Sequence, residues 1–186
     1  MNNQKSTSSG SVLVTDGHLR SGLAVVRSLG RRGISVTSGA RTRFATAHYS
    51  KYTDHTFVYP SAERSPIAFR DSLLSYLDNN EHIDAVIPVG HYTTRCVSEY
   101  KEDFEEYTTV PVPEYELFEQ AWDKSQTFRA AAQLDIPRPE TKFPESVTAA
   151  ISAADALGYP VVVKPRSGSG SRGLHFTENE EQLREA

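Results

Sequence analysis

Short apolar runs alternate with stretches of helical period along the first 112 residues. Val12-Leu13-Val14-Thr15 is a continuous β-branched and aliphatic run, the pattern of a strand buried on both faces. After the turn Asp16-Gly17-His18, the residues Leu19, Leu23, Val26 and Gly30 fall at i, i+4, i+7 and i+11. That spacing predicts one face of a helix ending at Arg31-Arg32-Gly33. Residues 34–37 read as the next strand, and Phe57-Val58-Tyr59 as a thin one stopped by Pro60. Ser65-Pro66 is an N-cap and first-turn pair that opens a helix through Ile67, Leu73, Leu74 and Leu77. Residues 84–89 supply a further strand, followed by the glycine turn Gly90-His91. A polar helix is expected over 94–105 and a weak strand over 108–112. This strand–helix rhythm predicts an α/β domain with a parallel sheet and helices on both faces.

The rhythm changes after Val112. Residues 113–120 and 123–134 read as two short helices, the second capped by Asp123 and stopped by Asp135-Ile136-Pro137-Arg138-Pro139, because proline cannot continue a helix. Ser146 caps a helix whose Val147, Ala150, Ile151, Ala154 and Leu157 share a face, and Gly158 ends it. A strand, Val161-Val162-Val163, then runs into Lys164-Pro165. A loop of small residues follows, and 174–177 look like a return strand. Thr177 and Glu180 form a capping box that starts a last helix at Glu178. The expected organisation is a polar tail over 1–11, a Rossmann-like domain over 12–112, and linker helices with a partial α+β subdomain over 113–186. The last of these reads as stopping in mid-domain.

The loop Gly168-Ser169-Gly170-Ser171-Arg172-Gly173 fits G-x-G-x-x-G, a spacing that several structures share. Glycines there can adopt positive φ and turn N–H groups toward an anion, which suits polyphosphate. A dinucleotide fingerprint would need a helix to open from the glycines, and an apolar strand-like segment follows instead. A P-loop would need Lys-Ser/Thr after the last glycine, where Leu174 stands. A flap between two antiparallel strands, folded over nucleotide phosphates, fits best. A flexible Gly/Ser linker is the bland alternative, and the strand carrying Lys164 just ahead weighs against it. Lys164 would offer a point charge to phosphate oxygens.

Composition narrows the partners. A net charge of −4 with 24% charged residues gives no electrostatic case for nucleic acid or an anionic membrane. No apolar run approaches the roughly 20 residues of a membrane span. The one cysteine, Cys96, excludes an internal disulfide and suits a reducing cytoplasm. The six histidines show no metal-binding spacing, no G-x-S-x-G elbow is present, and the acidic run 102–106 reads as a solvated helix face.

Taken in order, Asp123-Lys124 opening a helix, Ile136-Pro137-Arg138-Pro139-Glu140-Thr141, Gly158-Tyr159-Pro160-Val161-Val162-Val163-Lys164-Pro165 and the glycine flap resemble the ATP-grasp family. The likeness is to the carbamoyl-phosphate-synthase-like carboxylate–amine ligases, and it covers the domain that precedes the ATP-grasp region and the first ATP-binding subdomain. It implies that Lys124 and Lys164 contact ATP phosphates and that Ser167, Gly168, Ser169, Gly170, Ser171 and Gly173 form the flap over the β- and γ-phosphates. Arg166 receives no role from it. It further implies ATP and Mg2+ as cofactors, a small carboxylate activated as an acyl phosphate, and an amine-type nucleophile. The metal ligands would lie in a second subdomain beyond Ala186, so no metal ligand and no catalytic residue is assigned here. Two other readings stay open: a nucleotide- or metabolite-binding module using the turns 16–22 and 90–94, or a split-enzyme subunit completed by a partner chain. A homo-oligomer is compatible with each.

Overall fold

A computed structural model describes residues 10–168 and 173–186. Residues 1–9 of the expected tail, and Ser169, Gly170 and Ser171 of the expected flap, lie outside the described residues. The chain divides into two compact units, Met1–Tyr115 and Glu116–Ala186.

In the first unit β1 (Ser11–Val14), α1 (Arg20–Gly30), β2 (Ser35–Ala40), β3 (His55–Val58), α2 (Pro66–Asp78), β4 (Ala85–Ile87), α3 (His91–Glu99) and α4 (Lys101–Glu105) follow in order. The four strands form one parallel sheet in the order β3-β2-β1-β4. Alternation along β1 separates two cores. Val12 and Val14 pack with Val26 of α1, Val36 and Ala47 on one face. Leu13 points the other way, into Phe69, Leu73 and Leu77 of α2, Val97 of α3 and Phe104 of α4. Helices therefore cover both faces, as the strand–helix rhythm predicted, and the α/β, Rossmann-like expectation is borne out.

Several details differ from expectation. The second strand extends to Ala40 because Ser38 and Gly39 are buried in the sheet despite their polar, small-residue look. The single helix expected over 94–105 begins at His91 and is interrupted at Tyr100 (φ −113°, ψ 33°), giving α3 and α4. That break lets Phe104 turn fully inward while Glu102, Asp103, Glu105 and Glu106 stay exposed. The weak strand over 108–112 reduces to one parallel bridge, Ala85 with Thr109. Residues 40–56, which showed no period, contain a 3-10 turn at Thr46–Tyr49. Ser65 precedes α2 as expected, but its hydroxyl makes no capping bond. Cys96 is buried and its Sγ lies 3.4 Å from the Pro66 carbonyl. Burial pushes its thiol up to about 12, so it stays protonated and inert at neutral pH.

The second unit holds α5 (Tyr115–Trp122, which begins at the division), α6 (Lys124–Gln133), α7 (Val147–Leu157), the strands β5 (Val161–Val163) and β6 (His175–Thr177), and α8 (Glu180–Glu185). The caps chosen from sequence for α6 and α7 form: Asp123 accepts from the Ser125 N–H and Ser146 from the Ala149 N–H. The cap of α8 does not. Thr177 belongs to β6 and its hydroxyl donates to the Val161 carbonyl, whereas Asn179 caps α8 by accepting from the Gln182 N–H. The strand pair claims Thr177 first, and Asn179, with Gln182 three residues on, caps the helix as well as Thr177 with Glu180 would.

Candidate functional site

β5 and β6 pair antiparallel, Val161 opposite Thr177 and Val163 opposite His175, so the small-residue loop joins two adjacent antiparallel strands. This is the strand–glycines–strand arrangement expected from sequence. The two described loop glycines, Gly168 (φ 122°) and Gly173 (φ 68°), both sit at positive φ, where a side chain would be strained. Lys164 leaves the end of β5 exposed, with its ammonium 5.2 Å from the ring centre of Phe128 on α6. Phe128 in turn meets Phe143 edge-on at 6.2 Å. Ser167 is exposed beside it.

The N-terminus of α6 comes to this loop. The Lys124 N–H donates to the Arg166 carbonyl at 2.9 Å, and Lys124 Nζ donates to the Gly168 carbonyl at 3.0 Å. The Arg166 guanidinium donates through Nη2 to Asp123 Oδ2 and to Ser125 Oγ, both at 2.8 Å. The two lysines selected from sequence are thus brought to one hairpin from positions 40 residues apart. Among the described residues neither forms an ion pair with a carboxylate. Arg166, by contrast, is neutralised by Asp123. Sequence reasoning left Arg166 and Ser125 without roles. Their link joins positions 41 apart and depends on a tertiary contact, so no local spacing could have disclosed it.

Hydrogen bonding by Ser125, and then by Arg166, holds the Asp123 carboxyl down to about 2 against its partial desolvation. The folded-state value lies below the ordinary carboxylate range near 4. The stabilisation is therefore present above that range and is lost as pH falls through about 2. The carbon resonance of the Asp123 carboxyl followed from pH 5 downward is expected to titrate well below an ordinary aspartate. A midpoint near about 4 would contradict the geometry.

In the first unit, the turns after β1 and β4 meet at Asp16. This residue is 6% exposed and holds φ 57°. Its Oδ2 accepts from the Gly90 N–H at 2.7 Å and from the hydroxyls of Thr15 and Thr93 at 2.5 Å each. Its own N–H donates to the Tyr59 hydroxyl at 2.7 Å. Burial, followed by the Asp16 charge, pushes the Tyr59 phenol well above its usual range, so it stays neutral. β1 and β4 are neighbours whose following helices pack on opposite faces, the crevice where open α/β sheets hold ligands. The chain fills it with its own carboxylate. Asp16 Oδ2 takes the N–H of Gly90, the residue that precedes α3. Arg20, at the start of α1, is exposed. His18, beside Asp16, has its pKa lowered chiefly by burial.

Residues 123–186, which contain Lys124, β5, the glycine loop and β6, match the family described as "Carbamoyl-phosphate synthase L chain, ATP binding domain". The biotin carboxylase domain of the 2-oxoglutarate carboxylase from Hydrogenobacter thermophilus, crystallised with MgADP, ADP and bicarbonate, is similar at 21% identity and a TM-score of 0.68, over 94% of this chain and 39% of that one. N5-carboxyaminoimidazole ribonucleotide synthetase from Thermotoga maritima gives 20% identity and 0.66, over 95% of this chain and 43% of that one. An L-amino acid ligase from Bacillus licheniformis gives 16% and 0.67, over 97% and 42%. The chain therefore spans about two fifths of the length of these solved chains. The resemblance read from sequence is borne out: the fold is shared with these solved chains, and the family match falls on the residues that carried it. No helix among the described residues is long and apolar enough to cross a membrane.

Proposed function

We propose that this chain is the nucleotide-holding N-terminal part of an ATP-dependent carboxylate–amine ligase. The observation that carries the proposal is the convergence of Lys124 and Lys164 on one glycine-loop hairpin, with Lys124 Nζ on the Gly168 carbonyl. The match of residues 123–186 supports it independently. In this reading residues 12–112 are the domain that precedes the ATP-grasp region, and 113–186 supply linker helices and the first ATP-binding subdomain. Lys124 and Lys164 meet the phosphates, and backbone N–H groups of Ser167, Gly168, Ser169, Gly170, Ser171 and Gly173 cover the β- and γ-phosphates. A carboxylate oxygen attacks the γ-phosphorus, the bond to the ADP oxygen breaks, and an acyl phosphate forms. An amine nitrogen then attacks the acyl carbon, inorganic phosphate leaves, and the amine gives up a proton. The protein's share is positioning and cancellation of charge on the transferred group.

Mg2+ would add to that cancellation when bound. Among the described residues no three His, Cys, Asp or Glu side chains converge to hold a metal, so no step is assigned to it here. The small carboxylate, the amine, any partner chain and a cytoplasmic location belong to the same proposal. Calorimetric titration of the chain with MgATP is the direct test. Saturable heat that is lost on exchanging ATP for adenosine supports phosphate recognition, and no heat at millimolar MgATP overturns it.

A further inference from the structure

We infer that Arg166 is a positioning residue, which fastens Lys124 to the mouth of the glycine loop and keeps Asp123 from drawing the Lys124 ammonium away from phosphate. The inference rests on the nucleotide reading above and gives a task to a residue which that reading left without one. Arg166 itself ties to three residues, Asp123, Ser125 and Lys124. Its Nη2 bonds Asp123 and Ser125, its carbonyl takes the Lys124 N–H, and two residues on the Gly168 carbonyl takes Lys124 Nζ. Ser125 is fully buried, so the Arg166 bond to its hydroxyl reaches a fixed point. Asp123 is already committed through its other oxygen to the Ser125 N–H. The first two N–H groups of α6 are therefore met by the chain itself, and its N-terminus offers a phosphate the Lys124 ammonium in place of those amides.

Asp123 directly precedes Lys124, and in the folded chain its carboxylate is compensated by Arg166. Without that guanidinium, Lys124 is the nearest cation in the sequence for a carboxylate kept ionised at neutral pH. Pairing of the two would cost the phosphate site one of its two lysines. A direct phosphate contact from Arg166 is the competing role. The geometry weighs against it, because Nη2 is spent on Asp123 and Ser125 and the guanidinium charge is already compensated by Asp123.

The two roles separate in a double-mutant cycle of Arg166→Gln with Asp123→Asn, measured as MgATP affinity of the whole chain. Asparagine keeps the cap and removes the charge. Arg166 is 63% exposed at its side chain, so the variants are expected to fold. If Arg166 positions, Asp123→Asn restores about tenfold in affinity in the Arg166→Gln background and far less in the parent, a coupling expected of residues in one network. Equal gains in both backgrounds overturn the inference.

Amide hydrogen exchange gives a readout that needs no nucleotide. Arg166→Gln should speed exchange at Lys124 and Ser125 while leaving Ala150 and Gly158 of the α7 region unchanged. Unaltered exchange at Lys124 and Ser125 overturns the inference whatever the nucleotide does. Faster exchange there, in a chain that never binds MgATP, keeps the staple and removes the ligase reading instead.

Discussion

Lys164→Ala is expected to weaken MgATP binding by about 10- to 150-fold, the range that corresponds to losing one charge-assisted hydrogen bond of about 1.5–3 kcal/mol. The side chain is exposed and its described partner is the Phe128 ring at 5.2 Å. An exposed cation–π contact is worth only about 0.5–1 kcal/mol. The thermal midpoint should therefore move little while affinity falls steeply, and that separation makes the variant informative. Lys164→Arg keeps the charge but replaces a compact ammonium by a planar fork, so it should recover part of the affinity. Calorimetry on parent and variants checks this. A Lys164→Ala chain that binds MgATP as tightly as the parent removes Lys164 from the site, even if the fold assignment stands.

The second large effect lies in the first unit and concerns stability. Asp16→Ala should destabilise the parallel-sheet unit by about 1–3 kcal/mol, the cost of one buried donor left unsatisfied. Of the three donors that lose this acceptor, the Thr93 and Thr15 hydroxyls can turn to the Gly90 carbonyl and to Thr93 Oγ1, while the Gly90 N–H is left unsatisfied. The donors are the Gly90 N–H and the Thr15 and Thr93 hydroxyls, and both threonines are buried. Alanine would also have to hold the φ of 57°, a conformation that aspartate and asparagine tolerate better. Asp16→Asn keeps the backbone tolerance and one acceptor oxygen, so its loss should be smaller. Urea unfolding followed by tyrosine fluorescence, with Tyr59 next to Asp16, reports the difference. An Asp16→Ala midpoint equal to the parent's would mean that the junction of β1 with the β4 turn is held by packing alone.

The two sites differ in how far they were legible. The glycine hairpin and Lys164 stood out because their chemistry is local, whereas Lys124 was singled out only through the family resemblance. A β-branched run, a lysine and a small-residue loop are contiguous, and Asp123-Lys124 announces a capped helix by itself. The Asp16 junction did not stand out. Asp16-Gly17 read as a turn that could hold a small ligand together with 90–94, and nothing near it in sequence identifies Gly90 and Thr93, 74 and 77 positions away, as partners of its own carboxylate. Ser38 and Gly39 misled in the opposite sense, as polarity argued for the end of β2 where burial in the sheet carries it on to Ala40.

Period and punctuation determined by themselves where most strands and helices lie, that the sheet is parallel with helices on both faces, and that a strand–glycine–strand hairpin lies in the second unit. These follow from backbone geometry and from burial of one face, both written within a few residues. Only the tertiary structure decided that helix 94–105 breaks at Tyr100, that 108–112 yields one bridge, and that α8 is capped by Asn179. It alone also joined Arg166 to Asp123 and Ser125, and Asp16 to Gly90. Each of these is settled by competition among hydrogen-bond partners and packing surfaces far apart in the chain, and the sequence pattern carries no measure of which partner prevails.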